Sequence, residues 1–588
     1  MITTEHRALR RNPRALYFVP AALLFALGAC RTHSAIATDA RPATLVERRT
    51  PTEILLAEAR SSNRVVETTR TLAEQFPKRL TGSKGYDDAA AWAVEQFRAA
   101  GLDARLETWG EFPVRFDRGT QTGRIVAPAE ESLEFATMAW SAGTNGPTRG
   151  RAVLEPRTQA ELDALDKEAA FKGAWIVRTD SQGDAKFKRA VREALDAAGI
   201  LGTLRAGSKS GLLTMGGNHR VDPAKLPTQV DIKLASAQHE ALVARLEQGE
   251  ALELEFDIEN RFTPGPVPCT NVVADLVGTR FPDEYVIVQG HLDAWDGAEG
   301  AQDNASGCAT ALEAARLIAA SGMRPLRTIR FVLYGGEEQG LLGSRGYVKM
   351  HEAELDRISV VMTHDAGATY LAGIDATYAM MADMRRVTAP LEGLDPRFPF
   401  RVREVDGLVN SGDSDHAPFV SAGVPSFFWH QSERGYEYVH HTQHDVFSQI
   451  PLEELEHSAV VVTMCAFGFA NLEHKLDRTD SKPIERRRMG VQLDADAVVV
   501  RVTGDSRAQR AGWQEQDRII EVDGVEVRSQ RDVLERLQSG GAKKTFRLAR
   551  GAETVVTTFD YSDEPAEQER SQRAERRAAF RVKNGQSP

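Results

Sequence analysis

Apolar and polar positions follow two different periods along the middle of this 588-residue chain. Over residues 271–475, short apolar runs of strand length are separated by longer segments with helical spacing. The predicted strands are 285–289, 328–334, 358–363 and 426–429, and the main predicted helices are 305–320 and 452–473. This alternation is typical of an α/β fold, in which a sheet carries helices on its faces.

Ionisable side chains come directly after three of these strands. His291 and Asp293 follow the first, the adjacent pair Glu337 and Glu338 follows the second, and Asp365 follows the third. Ligands in such sheets gather at the carboxyl ends of the strands, so we expect these groups to meet. Carboxylates buried together without a counter-ion destabilise the fold by several kcal/mol per charge. The arrangement therefore predicts a hydrolytic centre that holds two metal ions.

Two further residues complete this predicted centre. Asp303, just ahead of a predicted helix, is placed to bridge two ions, and His441 lies in a histidine-rich loop. His440 would replace His441 if the register shifted by one residue, but the following Thr442 favours His441. One ion would then be bound by Asp303, His291 and Asp365, and the other by Asp303, Glu338 and His441.

The remaining polar groups are given supporting roles. Asp293 would orient the ring of His291 and fix its tautomer. Adjacent glutamates cannot easily bind the same atom, so we expect Glu338 to be a ligand. Glu337 would then face a metal-bound water as the general base.

Residues 271–445 resemble the catalytic domain of the di-zinc exopeptidases, a family that includes bacterial aminopeptidases and plasma glutamate carboxypeptidase. The resemblance is carried by GHLDAWD at 290–296, GAQD at 300–303, SDHAPF at 414–419 and the HT–D pattern at 441–445. It implies two Zn²⁺ ions, the five ligands named above and Glu337 as catalytic base. Asn304 departs from the carboxypeptidase branch, whose members tend to carry an acidic residue there, and is more similar to the aminopeptidases.

The chain outside this region predicts further domains. Residues 52–118 and 262–478 would form one mixed-sheet peptidase domain, interrupted at 119–261 by a β-rich insertion that resembles a protease-associated domain. Residues 486–561 resemble a PDZ domain, which implies a C-terminal peptide as a possible ligand. Residues 562–588 are charged and poor in large apolar side chains, so we expect a disordered tail.

The N-terminus has the pattern of a targeting segment. Four arginines precede a nearly apolar run at 15–29, which is shorter than the roughly 20 residues needed to span a bilayer. The run ends in Leu-Gly-Ala-Cys and resembles a bacterial lipobox, which implies a lipoprotein signal peptide at 1–30, acylation of Cys30 and a linker at 31–51. The alternative is an ordinary signal peptide. Either way we expect export, and the lipobox implies a lipid anchor in the cell envelope.

These features together predict an exported zinc exopeptidase that acts on short peptides. The net charge of −11 argues against nucleic acid as a partner. Whether the amino or the carboxyl terminus is recognised stays open, because pocket shape decides it. One alternative is a single-zinc acyltransferase similar to glutaminyl cyclase, and another is an inactive scaffold that only binds partners.

Overall fold

The computed structural model describes residues 49–585, except 180–183, 208–211, 411 and 433. Its α-helices are α1 Pro51–Ser62, α2 Val65–Arg70, α3 Lys84–Ala99, α4 Gln159–Ala164, α5 Lys167–Phe171, α6 Ala185–Ala198, α7 Ser236–Glu247, α8 Ser306–Ala320, α9 Leu342–Met350, α10 Met381–Thr388, α11 His416–Ser421, α12 Tyr436–Val439, α13 Leu452–Ala470, α14 Arg507–Arg510, α15 Gln530–Gln538 and α16 Pro565–Lys583. Short π or 3₁₀ turns lie at Thr71–Gln75, Ala301–Ala305, Glu352–Arg357, Ala389–Leu391 and Phe447–Gln449.

The strands are β1 Asp103–Ala127, β2 Glu131–Ser132, β3 Phe135–Thr137, β4 Thr148–Leu154, β5 Trp175–Val177, β6 Gly202–Ala206, β7 Val230–Leu234, β8 Glu253–Leu276, β9 Phe281–His291, β10 Arg327–Tyr334, β11 Ile358–Thr363, β12 Leu371–Thr377, β13 Arg401–Val405, β14 Ser426–Phe428, β15 His430–Gln431, β16 Val491–Leu493, β17 Val499–Val502, β18 Arg518–Val522, β19 Val525–Glu526, β20 Lys543–Arg550 and β21 Glu553–Asp560.

The predicted mixed sheet is present. Strands β14, β11, β9 and β10 lie side by side and parallel, and β8 and β1 continue the sheet in antiparallel pairing. Alternate residues of β9 point to opposite faces: Val286 packs into one apolar cluster with helices α3, α8 and α13, and Ile287 packs into another with Tyr347 of α9 and Phe419 of α11. Both faces are covered, which explains why these strands are apolar throughout.

The sheet continues without interruption across the predicted boundaries of the insertion. Strands β1 and β8 form one antiparallel ribbon whose pairs run from Asp103↔Asp275 to Ala127↔Glu253, through the predicted boundaries at 118/119 and 261/262. At its far end β4 pairs with β8, and β5, β6 and β7 follow in parallel order. Trp175 lies fully buried in the separate core of this region, 4.8 Å from the ring of Phe256. The main sheet and the inserted region therefore share one antiparallel ribbon, formed by β1 and β8.

The predicted disordered tail is wrong. Residues 565–583 form helix α16, which contacts both the C-terminal β module and the larger α/β region before it. Glu567 pairs with the buried Arg487, while Arg573 donates hydrogen bonds to the carbonyls of Asp480 and Lys482 at 3.0 and 2.6 Å. Composition indicated disorder because the helix has few large apolar residues, but these ion pairs and carbonyl contacts hold it in place.

The predicted signal peptide and Cys30 lie outside the described residues, as does most of the 31–51 linker. Within the described part of the chain, none of the helices has both the length and the apolar character needed to cross a bilayer.

Candidate metal centre

The carboxyl ends of three adjacent parallel strands bring the predicted groups together. His291 is the last residue of β9, Glu337 and Glu338 follow β10, and Asp365 lies two residues beyond β11. Asp303 is added from the turn that precedes α8, and His441 from the loop after α12. All of the residues predicted for the site thus meet at one edge of the sheet.

Asp303 lies between the two histidines. Its Oδ1 is 3.1 Å from Nε2 of His291, and its Oδ2 is 3.1 Å from Nε2 of His441. The same nitrogen of His291 is 2.8 Å from Asp365, and that of His441 is 2.9 Å from Glu338. This geometry gives two neighbouring groups of donors that share one carboxylate, which is the arrangement expected for a bridging ligand.

The donor atoms are close enough to hold ions. Those of His291, Asp303 and Asp365 lie within 4.8 Å of one another, and so do those of Asp303, His440 and His441. His440 Nε2 is farther from Asp303 Oδ2, at 3.8 Å, than His441 is, and the His440 side chain is nearly half exposed. These distances favour His441 over His440, in the register that the sequence favoured.

Electrostatics at the centre indicate an excess of negative charge. Burial, together with the charge of Asp303, raises the pKa of Glu338 to about 7. Burial opposes a charge on His441, yet Glu338 and Asp303 outweigh it and raise its pKa to about 11. The Oε1 atom of Glu338 is buried without a hydrogen-bond partner among the described residues. The donor set therefore fits a divalent cation, which would neutralise these carboxylates and use the orphaned oxygen.

The ring of His291 is oriented by the backbone, which differs from the prediction. Its Nδ1 donates to the carbonyl oxygen of Asp293 at 2.9 Å, whereas the Asp293 carboxylate is 3.7 Å away. That carboxylate instead accepts from the Thr81 hydroxyl at 2.9 Å and from the Glu337 N–H at 3.3 Å. Donation from Nδ1 leaves Nε2 free to bind a metal. Asp293 thus positions both the imidazole and the segment that carries Glu337.

Glu337 lies near the same strand ends, where burial and the neighbouring charges shift its pKa. Burial raises its pKa well above the ordinary value, and Asp365, Asp415 and Glu338 add to the effect while His291 opposes it. A carboxylate with a raised pKa takes up a proton more readily near neutral pH, as a general base must.

Two residues that hold the centre were not given roles from the sequence. Asp445 is buried, and its carboxylate accepts hydrogen bonds from the N–H groups of Gln302 and Asp303, at 2.6 and 3.1 Å. The fully buried Arg79 donates to the carbonyls of Leu292, Glu299 and Gly300. Asp445 ends the HT–D pattern noted above, which was a signal for it. Arg79 had none, because the site carbonyls that it binds, those of Leu292, Glu299 and Gly300, are more than 200 positions away.

Asp415, within the SDHAPF run, is a further buried carboxylate behind the site. Neither of its oxygens has a hydrogen-bond partner among the residues the structure describes. Burial raises its pKa to about 7, and the charges of Asp365 and Asp293 act in the same direction. It adds to the negative charge around the strand ends.

The segment that carries this site is similar to known peptidases. Residues 271–466 match the sequence model of Peptidase family M28. The matched segment includes His291, Asp303, Glu337, Glu338, Asp365 and His441. The chain is also 26% identical to carboxypeptidase Q from Homo sapiens over 441 residues, which cover 72% of this chain and 89% of that protein.

Aminopeptidase YwaD from Bacillus subtilis (strain 168) is similarly related, with 26% identity over 422 residues, or 69% of this chain and 84% of that protein. Among solved structures, a peptidase M28 precursor from Shewanella amazonensis SB2B superposes with a TM-score of 0.53 at 25% identity and covers 72% of this chain and 97% of that one. These similarities support the mixed α/β fold and a metallo-exopeptidase of the M28 type.

Proposed function

We propose that the protein is a two-zinc exopeptidase that hydrolyses terminal peptide bonds of short peptides. The observation that carries this proposal is the position of Asp303, 3.1 Å from each of two imidazole nitrogens that themselves contact Asp365 and Glu338. Two sets of donors around one shared carboxylate are what a pair of ions requires. His291, Asp303 and Asp365 would hold one Zn²⁺, and Asp303, Glu338 and His441 the other.

Zinc at these positions would supply Lewis acidity, which polarises a peptide carbonyl and lowers the pKa of water towards ~7. The protein's own contribution is proton handling and rigidity. Glu337 would accept a proton from the attacking water and return it to the departing amine. Asp293 holds Glu337 through its backbone N–H, and Asp445 holds Asp303 in the same way.

The preference for short peptides and chain ends is supported by the surroundings of the site. Met215 of the inserted region and Trp295 line a narrow pocket beside Asp303, Glu338 and His441. The edges of Trp140 and His441 approach Trp295, at ring separations of 6.4 and 6.2 Å. Such walls leave little room for a long chain to run through the site in both directions. The relatives' names divide between aminopeptidase and carboxypeptidase, so the proposal leaves the preferred terminus open.

The decisive test combines zinc analysis with substrate profiling. Purified protein would be assayed on free, amino-blocked and carboxyl-blocked dipeptides, with and without a chelator. We expect two zinc ions per chain, hydrolysis that the chelator abolishes, and loss of activity when one of the two ends is blocked. A folded protein without bound zinc, or hydrolysis unaffected by chelation, would contradict the proposal.

The role of Glu337 is tested by Glu337→Gln, which removes the basic oxygen but preserves size. We expect turnover to fall by at least 100-fold, at the lower end of what general base catalysis contributes, with both zinc ions still bound. The exposed Glu352→Gln is the matched control and should behave like the wild type. Normal activity in Glu337→Gln would mean that another group is the base.

The two alternatives are separated by the same measurements. A glutaminyl cyclase-like acyltransferase would bind one zinc and cyclise amino-terminal glutamine, whereas two complete donor sets favour hydrolysis with two ions. A pure binding scaffold would need no such donors, and it would bind peptides without cleaving them.

Two accessory roles are also part of the proposal. The Leu-Gly-Ala-Cys run supports export and a lipid anchor at Cys30, which fatty-acid labelling of the wild type against Cys30→Ser would test. The resemblance of 486–561 to PDZ domains is supported by an open groove between β16 and α15, lined by Met489, Gln492 and Leu534. Binding of carboxyl-terminal peptides to the full chain, compared with amidated forms, would test it.

A further inference from the structure

A segment of the inserted region crosses to the loop that carries His441. Leu213 and Met215 are buried in an apolar cluster that also contains Trp140 and Trp295. Thr214, between them, forms an isolated antiparallel bridge with Thr442. We call residues 213–217 the strap. Its contacts join the inserted region directly to the candidate metal centre.

The strap contacts the His441 loop through its backbone. The Met215 N–H donates to the carbonyl oxygen of His441 at 2.6 Å, and the Leu213 N–H donates to Oε1 of Gln443 at 2.7 Å. His441 itself has a φ of +55°, in the left-handed region that L side chains rarely adopt. A conformation of this kind persists only where its surroundings fix it. The bond from Met215 is one of the contacts that do so.

The strap is anchored in turn to the rest of the inserted region. Nζ of Lys233, on β7, donates to the carbonyl and hydroxyl oxygens of Thr214 at 2.7 and 2.9 Å. The Ala139 N–H donates to the carbonyl of Gly216 at 2.8 Å, and Ala139 also bridges to Gly217. A continuous series of hydrogen bonds therefore runs from the sheet of the inserted region to a predicted metal ligand.

We propose that the strap is a positioning element for His441. Retention of the metal ion that Asp303, Glu338 and His441 would hold then depends on the inserted region. This inference rests on the proposed function, because it assumes that His441 is a zinc ligand. His291 ends strand β9 and Asp365 follows strand β11, and no hydrogen bond between described residues joins either of them to the strap. Loosening the strap should therefore weaken one of the two zinc sites and spare the other.

The test compares two substitutions at one position. Met215→Ala and Met215→Pro both remove the side chain, but only proline lacks the N–H that His441 accepts from. Zinc affinity would be measured on the apo proteins by competition with a chromogenic chelator, and stoichiometry by elemental analysis. We expect Met215→Pro to bind its weaker zinc at least tenfold less tightly than Met215→Ala, with the tighter site unchanged in both.

A second pair guards against misfolding of the proline variant. Lys233→Met removes the anchor of the strap, and Lys475→Met is the control, since Lys475 also donates to a carbonyl, that of Asp356, at the opposite end of strand β11. Lys233→Met should lose affinity at one site and Lys475→Met at neither. Hydrogen exchange of the 436–446 peptide in the zinc-loaded protein should rise only in Met215→Pro and Lys233→Met.

The outcomes separate the two proposals. Absence of zinc from the wild type would refute the proposed function itself. If Met215→Pro and Lys233→Met each bound both zinc ions as tightly as the wild type does, the role of the strap would be refuted and the proposed function would stand. Equal weakening of both sites would also contradict it, because the hydrogen bonds from the strap to a ligand-bearing loop go to the loop of His441.

Discussion

Helix α16 offers the sharpest test of the electrostatic reasoning, through Glu567→Ala. The Glu567 carboxylate accepts from Nε and Nη2 of Arg487 at 2.6 and 2.7 Å, and the two side chains are only 9% and 1% exposed. Breaking a buried pair by removing one partner destabilises by about 3–5 kcal/mol. Arg487 keeps the carbonyls of Leu537, Ser539 and Gly540 as acceptors, so we expect the lower end, about 3 kcal/mol.

This loss should appear as local opening of α16, because a chain with several cores does not unfold in one step. Hydrogen exchange of the 565–583 peptide is the measurement, and about 3 kcal/mol corresponds to exchange roughly 100-fold faster. Glu575→Ala, at an exposed position of the same helix, is the control and should leave exchange unchanged. Similar exchange in both variants and the wild type would refute the claim that this pair holds the helix.

The pH dependence of this contact has a definite sign. The hydrogen bond from Arg487 lowers the pKa of Glu567 below its ordinary 4.5. A depressed pKa in the folded state means that the contribution is complete above 4.5 and is lost as the pH falls through the folded value. Exchange of α16 in the wild type should therefore accelerate in acid, relative to Glu567→Ala. An identical acid response in the two proteins would contradict this assignment.

Three further outcomes follow from buried contacts. Asp296→Ala should lower stability by about 3 kcal/mol, because it leaves the guanidinium of Arg118, 2.9 Å away and 5% exposed, without its carboxylate partner. A lower melting temperature than that of the exposed control Asp283→Ala checks it. Trp175→Ala should lower the stability of the inserted region by about 3–5 kcal/mol, since the ring is fully buried against Phe256. Faster amide hydrogen exchange confined to residues 148–258 would be the evidence. Removal of metal by a chelator should lower the melting temperature and added zinc should restore it, because the carboxylates at Asp303 and Glu338 then lack a counter-charge; an unchanged melting temperature would count against a metal centre.

The main sheet could be predicted closely because its strands are buried on both faces. Residues 358–363 form β11 at the predicted positions, and α8 begins one residue later than expected. Such strands are continuous apolar runs bounded by polar residues, so local sequence is enough to find them. The convergence of His291, Glu338 and Asp365 followed from the same pattern and a general rule about strand ends.

What could not be predicted depends on contacts between distant parts of the chain. The β1–β8 ribbon was not foreseen, since its pairing is set by tertiary context and not by a local apolar pattern. Helix α16 looked disordered because composition does not show that Arg573 and Glu567 have fixed partners. Asp293 was expected to orient His291 through its carboxylate. The backbone carbonyl of Asp293 accepts from the ring instead, and sequence does not show which of the two oxygens lies closer.

The ribbon of β1 and β8 has a practical consequence for anyone who wishes to shorten this protein or exchange parts of it. Cutting the chain at 118 and 261 would interrupt the pairing of β1 with β8. The two cut strands would expose unpaired N–H and C=O groups, which promote aggregation. Grafts from a relative should instead carry the whole ribbon, with junctions near Asp103 and Leu276, where the pairing naturally stops.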